Sequence, residues 1–340
     1  MAETDGRGSL PAGAKRAGAT LPRVIEARVP ATSANLGPGF DCLGLALDLQ
    51  LVVEAHLGLP DALRYEGEGH VADRPDNLIH EGFRSAYAHV GETPPSVTFV
   101  ARNPIPLARG LGSSSAALVA GAAAADAALA GVLGRDGVFA LTAAIEGHPD
   151  NVGPAVYGGL TVAAERGDAS GYDTAVLAVP PSWRLLFGVP GFELPTERAR
   201  AALPQQVSRR DAVLTASRAA LWVLAVARDE PRLLRTASLD VLHEPYREPL
   251  VPGLAAARAA LLTAGAHAAY LSGAGPSLAV VAPEAALPAC RALLARFAGA
   301  DGRVLALRAG GGYEVTLSDA AAGGPSAPPV EVPAPSDEPR

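Results

Sequence analysis

The longest apolar run in the chain extends from Ala116 to Leu133 and is interrupted by a single charged residue, Asp126. Alanine and glycine dominate the run, so its transfer into lipid is too weakly favourable for a membrane span. A helix that is apolar on all sides is normally buried in a protein core. The run therefore predicts a buried helix from about Ser113 to Val132.

Strands and helices alternate irregularly around this helix. Alternating apolar segments predict strands at residues 24–29 and 45–55, whereas the second half of the chain is more helical. The spacing over residues 206–228 predicts a long amphipathic helix with Val213 and Leu224 on its apolar side. Because the pattern has no serial strand–helix–strand units, it favours the α+β class.

A polar stretch near the middle of the chain, GDASGYD, predicts a domain boundary. We expect an N-terminal domain over residues 23–175 and a C-terminal domain over residues 176–318. Residues 1–22 are rich in Gly, Ala and Pro, and residues 319–340 are Pro-rich and acidic, so both ends are predicted to be disordered. The N-terminus lacks the apolar segment of a secretory signal, so a cytoplasmic location is expected.

The charged residues and cysteines exclude several classes of protein. With 28 basic and 35 acidic residues, the net charge of −7 does not attract nucleic acid or anionic lipid in bulk. Lys15 is the only lysine, whereas a Walker-type phosphate loop and a protein kinase each need one. Cys42 and Cys290 are too few for a disulfide framework, and no Cys/His spacing indicates structural zinc.

A glycine- and serine-rich segment lies between a predicted strand and the buried helix. Its glycines allow close backbone approach, and its serines stand where the amides of the first helical turn are unpaired. Such a helix start attracts anions, so the segment predicts a phosphate site that needs no lysine. A serine cap after a glycine turn is the alternative. The segment consists of Pro106, Leu107, Ala108, Arg109, Gly110, Leu111, Gly112, Ser113, Ser114, Ser115 and Ala116.

Glu146 ends the next predicted helix and begins the turn EGHPDN. The helix dipole favours cations at this end, so a carboxylate here indicates a function, for example as a Mg²⁺ ligand. A solvated glutamate before a glycine cap is the alternative. His148 and Asn151 of the same turn either line a pocket or cap the turn.

The N-terminal turn carries Asn35 and Asp41 on the two sides of a rigid Gly-Pro-Gly core. Such a loop can direct an amide and a carboxylate inward. Ordinary turn chemistry accounts for Asn35. It accounts poorly for Asp41, which lies among apolar neighbours and, as a buried carboxylate, needs a partner.

Two segments in the second half carry candidate binding arginines. The segment TERAR contains Arg198 and Arg200 after Thr196, a predicted helix cap, and HEPYR ends in Arg247. Arginine is well suited to clamp a carboxylate or phosphate with two hydrogen bonds, although surface salt bridges are the alternative. The segment LSGAGPS, which contains Gly273, predicts a second ligand loop or a plain hairpin turn.

In this order, PATSANLGPGFDCLG, PLARGLGSSSAA, EGHPDN and LSGAGPS resemble the motifs of the GHMP family of small-molecule kinases. The turns NLGPGFD, EGHPDN, TERAR and HEPYR are similar to those of members that phosphorylate L-homoserine. The resemblance covers about residues 23–318. It implies a two-domain α+β fold, with a ribosomal-S5-like N-terminal domain and a ferredoxin-like C-terminal domain. Homodimers are common in the family, whereas these residues themselves predict no oligomeric state.

The resemblance also implies roles for the candidate residues. The segment from Pro106 to Ala116 would wrap the phosphates of ATP, and Ser114 and Glu146 would hold Mg²⁺. The γ-phosphoryl group would move to the homoserine hydroxyl and give O-phospho-L-homoserine, a step of threonine biosynthesis. We expect no dedicated base, and Asp41 is the candidate to test against that expectation. The implied homoserine contacts are Asn35, Asp41, His148, Asn151, Thr196, Arg200, Arg247 and Gly273.

Three alternatives stay open at this point. The acceptor could be mevalonate, a diphosphocytidyl polyol or shikimate. The paired arginines argue against a polyol without a carboxylate, and Asp41 argues for an acceptor with an ammonium group. A ligand-binding protein without turnover would not need the predicted Mg²⁺ ligands. An α+β protein with ordinary turns would require several unusual loops to agree by chance.

Overall fold

Two β-sheets organise the chain, one of seven strands and one of four. The computed structural model that shows them describes residues 24–71, 74 and 76–318. The disordered leader predicted over residues 1–22 and the tail predicted over residues 319–340 lie outside this part of the chain. Helices cover both sheets, and the predicted α+β class is confirmed.

The larger sheet comes mostly from the first half of the chain. Its strands are β1 (Val24–Ala34), β2 (Leu43–Leu57), β3 (Ala62–Gly67), β4 (Val97–Asn103), β5 (Leu160–Glu165), β6 (Tyr172–Leu177) and β11 (Glu314–Ser318). The strand order is β11-β1-β2-β4-β3, and β5 pairs with both β2 and β6. In the antiparallel β1–β2 pair, Ala27 lies opposite Val53 and Val29 lies opposite Leu51. All four side chains are buried, because one face of the sheet lies against the core.

The smaller sheet is antiparallel throughout. Its strands are β7 (Arg184–Val189), β8 (Ala268–Leu271), β9 (Leu278–Ala282) and β10 (Arg303–Leu307), in the order β10-β7-β9-β8. Along the chain, these strands and the helices between them follow the order β-α-β-β-α-β, which is the order of a ferredoxin-like unit. The domain boundary predicted after residue 175 does not separate the strands of the two sheets from each other. Strand β6 of the larger sheet crosses this boundary and ends at Leu177. Strand β11, from the end of the described chain, also belongs to the larger sheet, where it pairs with β1.

Ten α-helices lie within the described residues. They are α1 (Leu78–His89), α2 (Ser113–Ala128), α3 (Gly134–Glu146), α4 (Val152–Tyr157), α5 (Thr196–Ala201), α6 (Arg209–Ala227), α7 (Leu234–Ala237), α8 (Glu244–Arg247), α9 (Leu254–Thr263) and α10 (Leu287–Ala298). In this part of the chain, no helix combines the length and apolar character that crossing a membrane requires. Helices α1 to α4 accompany the larger sheet, and α9 and α10 pack on the smaller one.

The predicted buried helix is α2, which ends at Ala128 instead of near Val132. Asp126 explains the shorter helix. Its carboxylate accepts hydrogen bonds from the backbone amides of Leu133 and Gly134, at 2.8 and 3.3 Å, where α3 begins. The one charged residue of the apolar run therefore fixes the turn between two helices.

Helix α2 lies very close to α1 and passes through the centre of the larger core. A Cβ atom on Gly121 would lie 1.9 Å from the carbonyl oxygen of Ile79, so only glycine allows this approach. The same core continues to the smaller sheet, where Trp222 of α6 meets Tyr270 of β8 edge to face. One continuous core therefore supports both sheets.

Candidate active site

A cavity of about 520 Å³ is lined by residues from both halves of the chain. The first turn of α2 lies on one side, and loops of the smaller sheet lie on the other. The structure thus brings together residues from six separate sequence motifs. The predicted site residues that line the cavity are Asn35, Pro106, Leu107, Ala108, Arg109, Gly110, Leu111, Gly112, Ser113, Ser114, Glu146, His148, Asn151, Thr196, Arg200, Arg247 and Gly273.

The glycine- and serine-rich segment forms the start of α2. Its N-cap residue is Gly112, with φ of 68°, and no side chain caps the helix, so the alternative of a serine cap is wrong. A Cβ atom on Gly112 would lie 1.8 Å from the Oγ1 atom of Thr32. The uncapped amides of a helix that begins at a cavity form a suitable site for phosphate oxygens.

Three residues of this segment are not placed as phosphate ligands would be, although Arg109 does line the cavity. Arg109 donates hydrogen bonds to the carbonyl oxygens of Pro190 and Gly191, at 3.0 and 2.6 Å. Its side chain therefore fastens the loop to the second half of the chain. Ser115 and Ala116 are fully buried beneath the first turn, because this side of α2 enters the core.

Glu146 lies against the first turn of α2. Its Oε1 atom accepts hydrogen bonds from the hydroxyls of Ser114 and Ser115, at 3.3 and 2.9 Å. Ser114 is exposed at the cavity, whereas Ser115 is fully buried. A hydroxyl and a carboxylate beside a phosphate site are the hard oxygen ligands that Mg²⁺ prefers, so these residues fit that ion.

A chain of hydrogen bonds joins the turn after Glu146 to β1. The Asp150 carboxylate, 3% exposed, accepts hydrogen bonds from Nδ1 of His148 at 2.9 Å and from the Asn151 amide at 3.3 Å. The Asn151 oxygen accepts a hydrogen bond from Thr32 at 2.7 Å. Burial alone would lower the pKa of His148, but the hydrogen bond and charge of Asp150 outweigh it and raise this pKa above its ordinary value.

Asp41 meets Arg200, which lines the cavity. The two carboxylate oxygens accept hydrogen bonds from the two terminal nitrogens of Arg200, at 3.0 and 2.6 Å. Asp41 lies just behind the cavity lining, and polar atoms of Asp41, His148 and Asp150 lie within 4.8 Å of one another. The expectation that Asp41 is buried is wrong, because its side chain is 33% exposed. The expectation that its carboxylate has a partner is confirmed, and the partner is Arg200.

Arg247 is a buried cation beside this pair, with 1% of its surface exposed. It forms no ion pair with any carboxylate that the structure describes. The Phe40 ring lies between the two arginines, with its centre 5.3 Å from the guanidinium carbon of each. Burial and the charge of Arg200 lower the pKa of Arg247 to about 10, so the guanidinium stays protonated at neutral pH.

The remaining predicted residues support this part of the cavity. Asn35 donates a hydrogen bond to the carbonyl oxygen of Gly273 at 3.0 Å and accepts one from the Asp41 amide at 3.1 Å. Thr196 lines the cavity, but the prediction that it caps a helix is wrong. Helix α5 begins at Thr196 itself, and its N-cap is Pro195, which places Thr196 in the first turn.

Comparison with known proteins identifies the family. Two family models match the chain, the GHMP kinases N terminal domain over residues 77–159 and the GHMP kinases C terminal domain over residues 223–299. A homoserine kinase from Thermus thermophilus is 50% identical over 295 residues, which cover 86% of this chain and 98% of that protein. The chain belongs to the GHMP kinase family. The resemblance drawn from the sequence motifs is therefore confirmed.

Further relatives of this GHMP kinase agree with that assignment. A homoserine kinase from Moorella thermoacetica is 42% identical over 253 residues, which cover 74% of this chain and 85% of that protein. The crystal structure of homoserine kinase from Cytophaga hutchinsonii matches with a TM-score of 0.76 at 25% identity, over 88% of this chain and 99% of that one. GHMP kinases use ATP as co-substrate, as the resemblance of the sequence motifs led us to expect.

Sequence reasoning missed several residues that shape this GHMP kinase site. Asp150 belongs to the quoted turn EGHPDN, but an aspartate in a turn is too common to single out. Phe40 and His243 lie in quoted segments, and only their contacts with Arg200 and Arg247 distinguish them. Thr32 has no signal of its own in the sequence.

Proposed function

We propose that the chain transfers the γ-phosphoryl group of ATP to the side-chain hydroxyl of L-homoserine, giving O-phospho-L-homoserine. One observation carries this proposal. Two guanidinium groups, one of them paired with the Asp41 carboxylate, line the same cavity as the uncapped start of α2, which is suited to bind phosphate. The names of the homoserine kinases that match the chain support the same activity.

The charges of Asp41, Arg200 and Arg247 are complementary to an amino acid. Homoserine is a zwitterion, so its ammonium needs a carboxylate and its carboxylate needs an arginine. Asp41 supplies the first, and Arg200 and Arg247 supply the second. Because Arg247 has no carboxylate partner among the described residues, a bound carboxylate would relieve its buried charge.

The transfer itself requires mainly positioning and neutralisation of charge. We infer that Ser114 and Glu146 hold Mg²⁺, which when bound neutralises charge on the phosphate groups. His148 and Asn151 line the cavity and are held by Asp150, so they are suited to orient the acceptor hydroxyl. Asp41 is engaged by Arg200 through both oxygens, which favours a binding role over a role as general base.

Other acceptors of the family match these charges less well. Mevalonate and shikimate have a carboxylate for the arginines but no ammonium for Asp41. A diphosphocytidyl polyol lacks both the carboxylate and the ammonium. The homodimer, the cytoplasmic location and the lack of a nucleic-acid or membrane partner stay predictions from the sequence.

The proposal is tested by ADP release from ATP and Mg²⁺ with L-homoserine, mevalonate, shikimate, galactose or no acceptor. The Glu146→Ala variant serves as the blank. We expect turnover that depends on homoserine and disappears in the variant. Turnover with another acceptor alone would contradict the assignment of Asp41 and the arginines. ATP binding without turnover on any acceptor would indicate a ligand-binding protein instead of a kinase.

A further inference from the structure

The buried Arg247 guanidinium is held entirely by neutral groups. It donates hydrogen bonds to the carbonyl oxygens of Ala199 and Gly273, at 3.4 and 3.1 Å, and to Nδ1 of His243 at 3.0 Å. A buried cation normally has a carboxylate partner, because an uncompensated buried charge is costly. The presence of a neutral imidazole, that of His243, where a carboxylate is expected therefore needs an explanation.

The contact with Arg247 fixes the tautomer of His243. A guanidinium can only donate hydrogen bonds, so Nδ1 of His243 must carry the lone pair. The proton of the neutral ring is then on Nε2, which donates to the carbonyl oxygen of Gly37 at 2.8 Å. His243 is fully buried, and both of its ring nitrogens are engaged. The ring thus has one orientation and one protonation state that satisfy its neighbours.

Two carboxylates on the same segment as Arg247, those of Asp240 and Glu244, are directed to other partners. Asp240 accepts backbone hydrogen bonds around the start of α8, including those of the His243 and Glu244 amides at 2.7 Å, and its Oδ2 atom stays 3.7 Å from Nε2 of His243. Glu244 forms an ion pair with Arg258. The charges of Asp41 and Asp150 also act on Arg247, but these carboxylates are bound by Arg200 and by the turn over residues 148–151. None of the four carboxylates therefore forms an ion pair with Arg247.

The second cavity arginine shows the contrast. Arg200 is paired with Asp41 through two hydrogen bonds, whereas Arg247 keeps its full charge. We propose that His243 is a positioning residue that holds Arg247 toward the cavity without neutralising it, so that the carboxylate of the substrate supplies the missing negative charge. This inference rests on the proposed homoserine kinase activity.

The other contact of His243 joins two binding segments. Gly37 belongs to the turn that carries Asn35 and Asp41, and His243 precedes the short helix that carries Arg247. One side chain thus links the group that meets the substrate ammonium with the group that meets its carboxylate. The imidazole has two functions, one for each nitrogen, and they can be tested separately.

Two substitutions separate these functions. In His243→Asn, the side-chain oxygen can take the place of Nδ1 and accept from Arg247, while the donor to Gly37 is lost. In His243→Gln, the amide nitrogen can take the place of Nε2 and donate to Gly37, while the acceptor for Arg247 is lost. Neither variant carries a charge, and Asn is one methylene smaller than Gln, so the larger cavity is left in the variant that keeps the acceptor for Arg247. A higher homoserine KM in the Gln variant therefore cannot come from lost volume, and each variant is the control for the other.

The measurement is the KM for homoserine, the KM for ATP and kcat in both variants, with melting temperatures to compare their folding. A hydrogen bond to a charged group predicts a homoserine KM at least about fivefold higher in H243Q than in H243N, with a much smaller difference in the KM for ATP. Equal homoserine KM values, a larger rise in H243N, or an equal change in the KM for ATP would overturn the inference. Lack of homoserine turnover in the unmodified protein would overturn both this inference and the proposed function.

Discussion

Arg200 places its two terminal nitrogens on the two carboxylate oxygens of Asp41, at 3.0 and 2.6 Å. The two side chains are 35% and 33% exposed, so the pair lies at the edge of the cavity and in contact with water. Ion pairs with this exposure contribute little to stability. A zwitterionic amino acid offers each member of the pair an opposite charge, so it can replace their mutual contact without leaving a charge unpaired.

Replacing Asp41 by Asn tests whether this carboxylate binds the substrate or removes a proton. The change keeps the shape of the side chain and removes the charge that meets the ammonium. We expect the KM for homoserine to rise about tenfold or more, with kcat changed less than about threefold. A fall in kcat of about 100-fold or more at saturating homoserine would instead show that Asp41 acts as a base.

Arg200 and Arg198 lie on the same short helix and form a matched pair for mutation. Arg200 lines the cavity, whereas Arg198 is exposed. We expect Arg200→Gln to raise the KM for homoserine by about 10- to 100-fold, because a charged partner of the substrate carboxylate is lost. Arg198→Gln should leave that KM within about twofold of the unmodified value. Similar effects of the two substitutions in steady-state kinetics would contradict the placement of the carboxylate.

The close approach at Gly112 predicts the result of adding one methyl group there. Gly112 and Gly131 both have positive φ, 68° and 76°, so alanine at either position costs about 1–2 kcal/mol of backbone strain. Only at Gly112 would the new Cβ meet a neighbour, the Thr32 hydroxyl, since nothing lies within 4 Å at Gly131. We therefore expect Gly112→Ala to lower the melting temperature more than Gly131→Ala does and to raise the KM for ATP about tenfold or more. Equal changes of melting temperature and of the KM for ATP in the two variants would show that the loop can move away from Thr32 to make room for the methyl group.

The low pKa of His243 in the folded protein predicts a loss of stability in acid. Burial and the charge of Arg247 lower its pKa to about 4, although Asp240 and Asp41 act in the opposite direction. Between that value and the ordinary histidine pKa of about 6.5, the unfolded chain binds a proton that the folded chain does not. This contribution to stability is present above about pH 6.5 and is lost as the pH falls toward 4.

The matching measurement is the melting temperature of the unmodified protein and of His243→Asn at several pH values from about 7 to 4. The other acidic groups titrate in both proteins, so the difference between the two curves isolates His243. We expect the melting temperature of the unmodified protein to fall further between about pH 7 and pH 4 than that of the variant. Parallel curves would show that His243 takes up its proton equally well in the folded protein.

The sequence predicted which residues meet at one cavity better than it predicted the boundaries of the strands and helices. Ser114, Glu146 and Arg200 were chosen from separate segments, and they line one cavity. Their turns contain glycine, proline and serine in patterns that reflect local backbone chemistry, which a sequence displays directly. Two strands were missed, residues 62–67 and 172–177, because both are edge strands with few buried side chains and therefore no clear apolar alternation.

The helix predicted over residues 206–228 forms over Arg209–Ala227, but its buried face differs from the prediction. Val213 and Leu224 are 62% and 49% exposed, whereas Trp222 enters the core. Apolar residues lie on several sides of this alanine-rich helix, so periodicity alone does not select the side that packs. The role of His243 was missed for a related reason, since one of its two contacts joins residues more than 200 positions apart.

The most direct test of this account is a ³¹P NMR spectrum of the unmodified protein with ATP, Mg²⁺ and L-homoserine. We predict a new phosphomonoester resonance, coupled to the protons of the side-chain methylene next to oxygen, which grows as the ATP γ resonance falls. An acyl phosphate resonance, or loss of ATP to inorganic phosphate alone, would contradict transfer to the homoserine hydroxyl.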